Sequence, residues 1–327
     1  MTRPRHARIA TAAACAVVYG LAAGRAQSPI FRARTDVVSV PVSVTKGRQP
    51  VTGLGAADFA VSDNGVPQTV DAASLEHVPI DLTLLLTAFP ANRTEEHDAG
   101  DVTAEAARQL LLPDDRLRIV WADNGVRGAL AGADYTVGTD AVGREWTRGV
   151  ALPNGVVFSN QPGTDSGFGV ALADGLFYAL AWPVPPERRH LIVALTDGWD
   201  TASTLDMSTV AALARHSDAV LHAVLWLTPT SGGASAGGLN ILGSGRASPA
   251  WDESYRLLGD VVQQTGGTLQ MVAQAPRALA SIVADFRSSY VLRYTPRGVP
   301  LAGWHGLRVT VRSGSFTIRA RKGYEGG

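Results

Sequence analysis

The stretch HLIVALTDGWDT, residues 190–201, decides the fold. Residues 191–195 are apolar without interruption, too few for most helices, and they follow the charged Glu187, Arg188 and Arg189. Such a run suits a strand buried on both faces, as in a parallel sheet covered by helices. It ends at Thr196-Asp197-Gly198, which sets a carboxylate at the carboxyl end of a central strand. In open α/β sheets ligands bind along that edge. The functional reading turns on whether Asp197 has partners there.

Outward from this strand the chain alternates strands and helices. Residues 80–86, IDLTLLL, form a second buried run, and residues 116–123, RLRIVWAD, a third. Between them Asp101 is placed to cap a helix over 102–112, which Pro113-Asp114-Asp115 ends. Residues 170–182 are apolar on most faces and read as a buried helix stopped by Pro183, Pro185 and Pro186. A helix over 208–216, a strand over 219–227, a helix over 252–265, a strand over 268–272 and a helix over 276–288 complete the series. Gly-rich residues 124–165 are expected to hold an edge strand and a short helix near 142–150, and residues 230–249 read as a Gly/Ser/Ala loop. The alternation predicts an α/β fold with a doubly wound, mostly parallel sheet over 79–288.

The two ends read differently. Residues 37–45, VVSVPVSVT, alternate apolar and polar, as a half-buried strand does. Asp63-Asn64-Gly65 after a strand at 59–62 is a hairpin signal, because Asn-Gly accepts the positive φ of a type I′ turn. Strands at 290–294, 306–311 and 316–320 close the chain. Neither end has enough strands to cover a core alone, so residues 31–78 and 289–325 are expected to form one small antiparallel β-sandwich around the inserted α/β domain. No cluster of titratable residues stands out in the first of these segments.

Residues 1–26 carry Arg3, Arg5 and Arg8, then an apolar run over 9–23 and the small-residue step Gly24-Arg25-Ala26. This is a secretory signal pattern, and its apolar run falls short of the ~20 residues of a spanning helix. Export to the periplasm or the extracellular space is expected, with no membrane span after cleavage. Cleavage removes four arginines and no acid, leaving 25 basic against 29 acidic residues and moving the formal net charge from 0 to −4. A mildly acidic surface without a basic run excludes nucleic acid as the expected partner. Cys15, the single cysteine, lies within this segment, so no disulfide or zinc-thiolate site is expected in the mature chain.

In this order and spacing, PVTGLGAADFAVSDNGVPQTV, LLLPDDRLRIVWAD, LTDGWDT, QQTGGTLQMV, FRSSYVLRYTP and RVTVRSGSFTIRARKGYE resemble a von Willebrand factor type A protein of the secreted, acidobacterial-type group. The resemblance spans residues 31–325. It implies a metal-ion-dependent adhesion site of Asp-x-Ser-x-Ser after the first strand, a Thr on the next loop and an Asp after the fourth strand, oxygen ligands of the kind Mg²⁺ takes. Here Thr87, Phe89 and Ala91 stand at the three motif positions, Val170 at the Thr position, and only Asp197, with Asp200 near it, is kept. One carboxylate does not compensate a divalent ion's dehydration, and Phe89 and Val170 would set an apolar wall against the site.

The expectation is therefore an exported, non-catalytic adhesion or scaffold module with a degenerate metal site and no cofactor. Another protein would be its partner, bound at the carboxyl edge formed by Thr87, Phe89, Asn92, Val170, Asp197, Trp199 and Asp200. One alternative is a Mg- or Mn-dependent adhesion module that uses Asp197 with substitute oxygens from Thr87, Asn92, Thr94 or Asp98. A second is a hydrolase with a dispersed site in residues 124–165. The histidines after the signal, at 77, 97, 190, 216, 222 and 305, show no metal-binding spacing, and no G-x-S-x-G elbow occurs. Asp114-Asp115 reads as a solvated helix end.

Overall fold

The computed structural model describes residues 37–47, 49–75, 78–87, 106–107, 109–123, 125–128, 170–196, 198–226, 249–272 and 274–327. The expected signal segment, the expected helix at 142–150 and the loop at 230–248 lie outside them. The N-terminal part gives β1 (Val38–Lys46), the two-residue β2 (Gln49–Pro50), β3 (Phe59–Asp63), β4 (Val66–Gln68) and β5 (Ala72–Ser74). Asn64 (φ 47°) and Gly65 (φ 82°) make the left-handed turn between β3 and β4 that Asn-Gly announces.

The middle of the chain builds the parallel sheet: β6 (Ile80–Leu86), β7 (Arg116–Asp123), β8 (Gly125–Gly128), α1 (Leu172–Ala181), β9 (Arg189–Thr196), α2 (Met207–His216), β10 (Val220–Trp226), α3 (Pro249–Thr265), β11 (Leu269–Val272) and α4 (Ala275–Arg287). The strand order is β11-β10-β9-β6-β7-β8, parallel except for β8, which pairs antiparallel with β7. Every residue of β6 is buried, and so is β9 after its first. Their side chains alternate between two cores. Leu82, Leu84, Leu191 and Val193 pack with α4 and Ala107, whereas Leu85, Ile192 and Ala194 pack with α1, α2 and α3. Each fully buried Leu, Ile or Val contributes about 1.5–3 kcal/mol relative to exposure, so the apolar residues of these two strands are what fixes this sheet at the centre. Among the described residues no helix is long and apolar enough to cross a membrane.

The last strands are β12 (Tyr290–Tyr294), β13 (Gly303–Val311), β14 (Thr317–Ala320) and β15 (Gly323–Gly326). They return to the N-terminal strands. One sheet runs β14-β1-β12-β5 with β2 on β1, and the other runs β15-β13-β3-β4. Val40, Val42, Tyr290, Leu292 and Tyr294 of the first sheet meet Phe59 and Val61 of the second in one core. Phe59 and Tyr290 pack edge to face at 5.3 Å, and the Tyr290 hydroxyl donates to the Val51 carbonyl while accepting from the Leu54 amide, which ties down the connection after β2. Pro41 is tolerated inside β1 because residues 38–41 pair with β12 on one side only, β14 beginning opposite Val42.

Three sequence expectations shift. The helix expected to run to 112 is helical at residues 106, 107, 109 and 110 and has ended by Leu111, while residues 101–105 lie outside the described ones. Asp115 is not solvated: it is 1% exposed, accepts the Ile80 and Leu112 amides at 2.7 Å each, and pairs with Arg287. The apolar–polar alternation of β1 also fails at Ser43 and Thr45, both buried. Ser43 donates to Asp285 of α4 at 2.7 Å, and Asp285 in turn pairs with Arg319 of β14, so the second face of β1 is covered by the α/β lobe.

Candidate partner-binding edge

The carboxyl ends of β6 and β9 adjoin at the point where the strand order changes direction, the place where an open α/β sheet leaves a crevice. The main chain stays paired to the last residue, the Thr87 amide donating to the Leu195 carbonyl at 3.1 Å. The Thr87 hydroxyl donates to that of Thr196 at 3.1 Å, and the Thr196 oxygen also accepts the Gly198 amide at 3.0 Å. Gly198 has φ 86°, a left-handed conformation that suits glycine and turns the chain away from β9.

From there the loop folds onto the start of α1. The Thr201 and Ala202 amides donate to the Val170 carbonyl at 2.8 and 2.9 Å, and the Val170 amide donates to the Thr201 hydroxyl at 2.9 Å. Two carboxylates then cross over. Asp200 accepts the Ala173 amide at 3.1 Å and the Ser203 amide at 3.3 Å, one on each oxygen. Asp174 accepts Thr204 at 3.0 Å and Leu205 at 2.8 Å. Asp200 thus supplies, from another segment, the acceptor that Ala171 at the N-cap position does not, and both carboxylates favour the positive end of the helix. Gly175 lets α1 lie close, since a Cβ there would stand 2.7 Å from that of Ala122 and 2.8 Å from Leu85. Next in the chain Asp206 caps α2, its carboxyl held below the usual range by hydrogen bonds from Ser208 and Thr209.

Of the residues expected at the edge, Thr87 is fully buried and Val170 is 6% exposed, so in this conformation neither side chain faces a partner. Trp199 and Asp200 are half-buried, with Thr201 and Thr204 exposed beside them. Phe89, Asn92 and Asp197 lie outside the described residues, as do Thr94, Asp98 and residues 129–165 of the region suggested for a hydrolytic site. Among the described residues no group of three or more His, Cys, Asp or Glu side chains is arranged to hold a metal ion.

Two further buried polar clusters lie away from this edge. At the amino end of the parallel sheet, Arg118 donates to Thr83 at 3.2 Å, with Nε2 of His190 3.1 Å from the same hydroxyl. Burial, helped by Arg118, pulls His190 down to about 3. In the sandwich, Asp63, His305, Tyr294 and Tyr324 converge. The sequence hides that cluster, because Asp63 and His305 are 242 residues apart and each looks solitary in its own strand.

No protein-family model and no curated protein matches the chain. Solved structures that it resembles include a von Willebrand factor type A protein from Catenulispora acidiphila, 10% identical, over 90% of this chain and 75% of that one at a TM-score of 0.40. An aerotolerance-related membrane protein from Bacteroides fragilis is 13% identical over 63% of this chain and 98% of that one, at 0.39. Proximal thread matrix protein 1 from the mussel byssus is 11% identical over 64% of this chain, at 0.38, and the chain spans only 48% of its length. Likenesses this loose assign no role to any residue of the edge.

Proposed function

We propose that the chain is an exported, non-catalytic, von Willebrand factor A-like module that binds another protein at the carboxyl edge of its parallel sheet without a metal bridge. The observation that carries this reading is the crossed pair Asp174 and Asp200. Their oxygens hold four backbone amides, of Ala173, Ser203, Thr204 and Leu205, and so fix the edge loop on α1. A loop preorganised in this way binds a protein with less ordering cost. Half-buried Trp199 lies on this loop, and tryptophan is favoured as an interface anchor.

Titration calorimetry of the purified protein with Mg²⁺, Mn²⁺ and Ca²⁺ tests the reading, and no specific binding is expected. A site of about micromolar affinity that disappears in Asp197→Ala would replace it with metal-dependent adhesion. Turnover in a broad hydrolytic screen would overturn the non-catalytic part.

A further inference from the structure

The sandwich contains a buried acid–base pair whose outer nitrogen has no partner. Asp63 of β3 is 0% exposed and His305 of β13 is 1% exposed, with Nδ1 of the ring 2.8 Å from Oδ1 of the carboxylate. The hydroxyls of Tyr294 on β12 and Tyr324 on β15 both donate to Oδ2 at 2.9 Å. Burial pushes the Tyr294 phenol up and Tyr324 up to about 12, so both remain donors. An ionised carboxylate only accepts, which puts the ring's proton on Nδ1 and leaves a lone pair on Nε2. That Nε2 is buried and makes no hydrogen bond. Tyr324 stacks on the ring at 4.5 Å, and Gly326 lies over its outer edge: a Cβ there would stand 3.0 Å from Nε2 and 2.6 Å from the Leu301 carbonyl oxygen.

We propose that His305 is a proton-operated latch: a second proton, on Nε2, releases β15 from β13 while the rest of the sandwich stays folded. The closed strand gives the new N–H no acceptor, and a buried unpaired donor is costly, more so when charged. Gly326 lies against both Nε2 and the Leu301 carbonyl, so moving it aside would open the ring's outer edge to that carbonyl and to water. Strand β15 is the element that yields: it has four residues, a sheet edge position and β13 as its strand partner, with a further tie at its start, where Arg321 Nε donates to the Gly323 carbonyl at 2.7 Å. Its departure also takes the Tyr324 hydroxyl off Asp63. Two other charges bear on the cluster. Arg321, just before β15, lies near both tyrosines and is buried against α2, where it donates to the Arg215 carbonyl at 3.0 Å. The Arg215 guanidinium sits 5.3 Å over the Trp304 ring. Arg321 is itself paired with Asp218 at 3.2 Å. The latch is independent of what the carboxyl edge binds.

The test follows imidazole nitrogen shifts and amide exchange on the same ¹⁵N-labelled protein in pH steps. At the alkaline end His305 should show a protonated Nδ1 and a bare Nε2. As its spectrum reports the second proton, peptides covering residues 323–326 should lose protection by about tenfold or more after correction for intrinsic exchange, while β1 and β12 keep theirs. In His305→Gln, which does not titrate, residues 323–326 should follow β1 and β12 at every pH; if that variant does not fold, the wild-type measurement decides alone. The proposal is overturned if protection at 323–326 is unchanged through the ring's titration, if it falls in step with β1 and β12, or if Nε2 carries the proton at the start.

Discussion

Two histidines of the α/β lobe make stability depend on pH in a direction that their burial fixes. His190 and His222 are each pulled from the ordinary 6.5 to about 3, chiefly by burial and secondarily by Arg118 and Arg319 respectively. The folded lobe keeps both rings neutral, His222 holding the Thr268 hydroxyl at 2.8 Å through Nδ1. Below about 6.5 the unfolded chain takes up protons that the folded chain refuses. Their stabilisation is therefore complete above that pH and is lost as pH falls toward 3, by up to about 1.4 kcal/mol per pH unit for each ring. Urea midpoints should drop between neutral pH and about 5, and His190→Gln with His222→Gln should flatten that drop; an unchanged slope in the double variant would refute the assignment. Neither residue betrays its state in the sequence. His190 precedes an apolar run and His222 lies inside one, but only pairing with neighbouring strands closes water off from the rings. The same holds at the edge: Thr87 and Val170 could be placed at strand and helix ends by pattern, yet that their side chains point inward is settled by the hydrogen bond from the Thr87 hydroxyl to Thr196 and by the packing of Val170 in the core with α1.

Among the elements, the turn from α3 to β11 is the least tolerant of change. Gly266 has φ 86°, and a Cβ there would stand 2.7 Å from the Arg321 nitrogen. At Gly267 it would fall 1.7 Å from the Leu221 carbonyl oxygen, a distance that no side-chain adjustment relieves, because both atoms belong to fixed main chain. Gly267→Ala should cost more than about 4 kcal/mol or prevent folding, read as a loss of the cooperative thermal transition; a variant within about 1 kcal/mol of wild type would show that β10 and α3 can separate there. Sequence signals this turn as a helix stop, since Gly-Gly after an amphipathic run does that, but not the backbone contact that makes glycine obligatory. Strands were legible where they are buried on both faces, as in IDLTLLL, whose seven residues are all buried and whose observed limits, Ile80 and Leu86, are those read from the sequence. Short edge strands were not. β5 (AAS) and β15 (GYEG) have no period to read, and they exist because β12 and β13 offer them an open edge.

At the scale of the whole molecule, the two termini of the described chain make one body. β1 lies between β12 and β14, and β3 pairs with β13, so neither sheet has its central strands without residues from both ends. A chain ending at residue 288 should therefore keep its parallel sheet by far-ultraviolet circular dichroism yet expose the face of Val40, Val42, Phe59 and Val61, seen as strong binding of a hydrophobic dye and as aggregation; a monomeric, non-binding fragment would overturn this. Sequence supports the joining of the two β segments only by counting, since each has too few strands to cover a core. It carries nothing of the register that sets Val42 opposite both Tyr290 and Ala320. The same arrangement imposes a schedule. Ser43 of β1 and Asp285, its partner ahead of β12, are 242 residues apart, and at synthesis rates of about 5–20 residues per second the first strand waits on the order of ten seconds to a minute for its neighbours. For that interval VSVPVSV is an unclaimed apolar strand. Pro41 at its middle, with no amide proton to offer, spoils it as a template for another chain and so guards the nascent protein until its own last strands arrive.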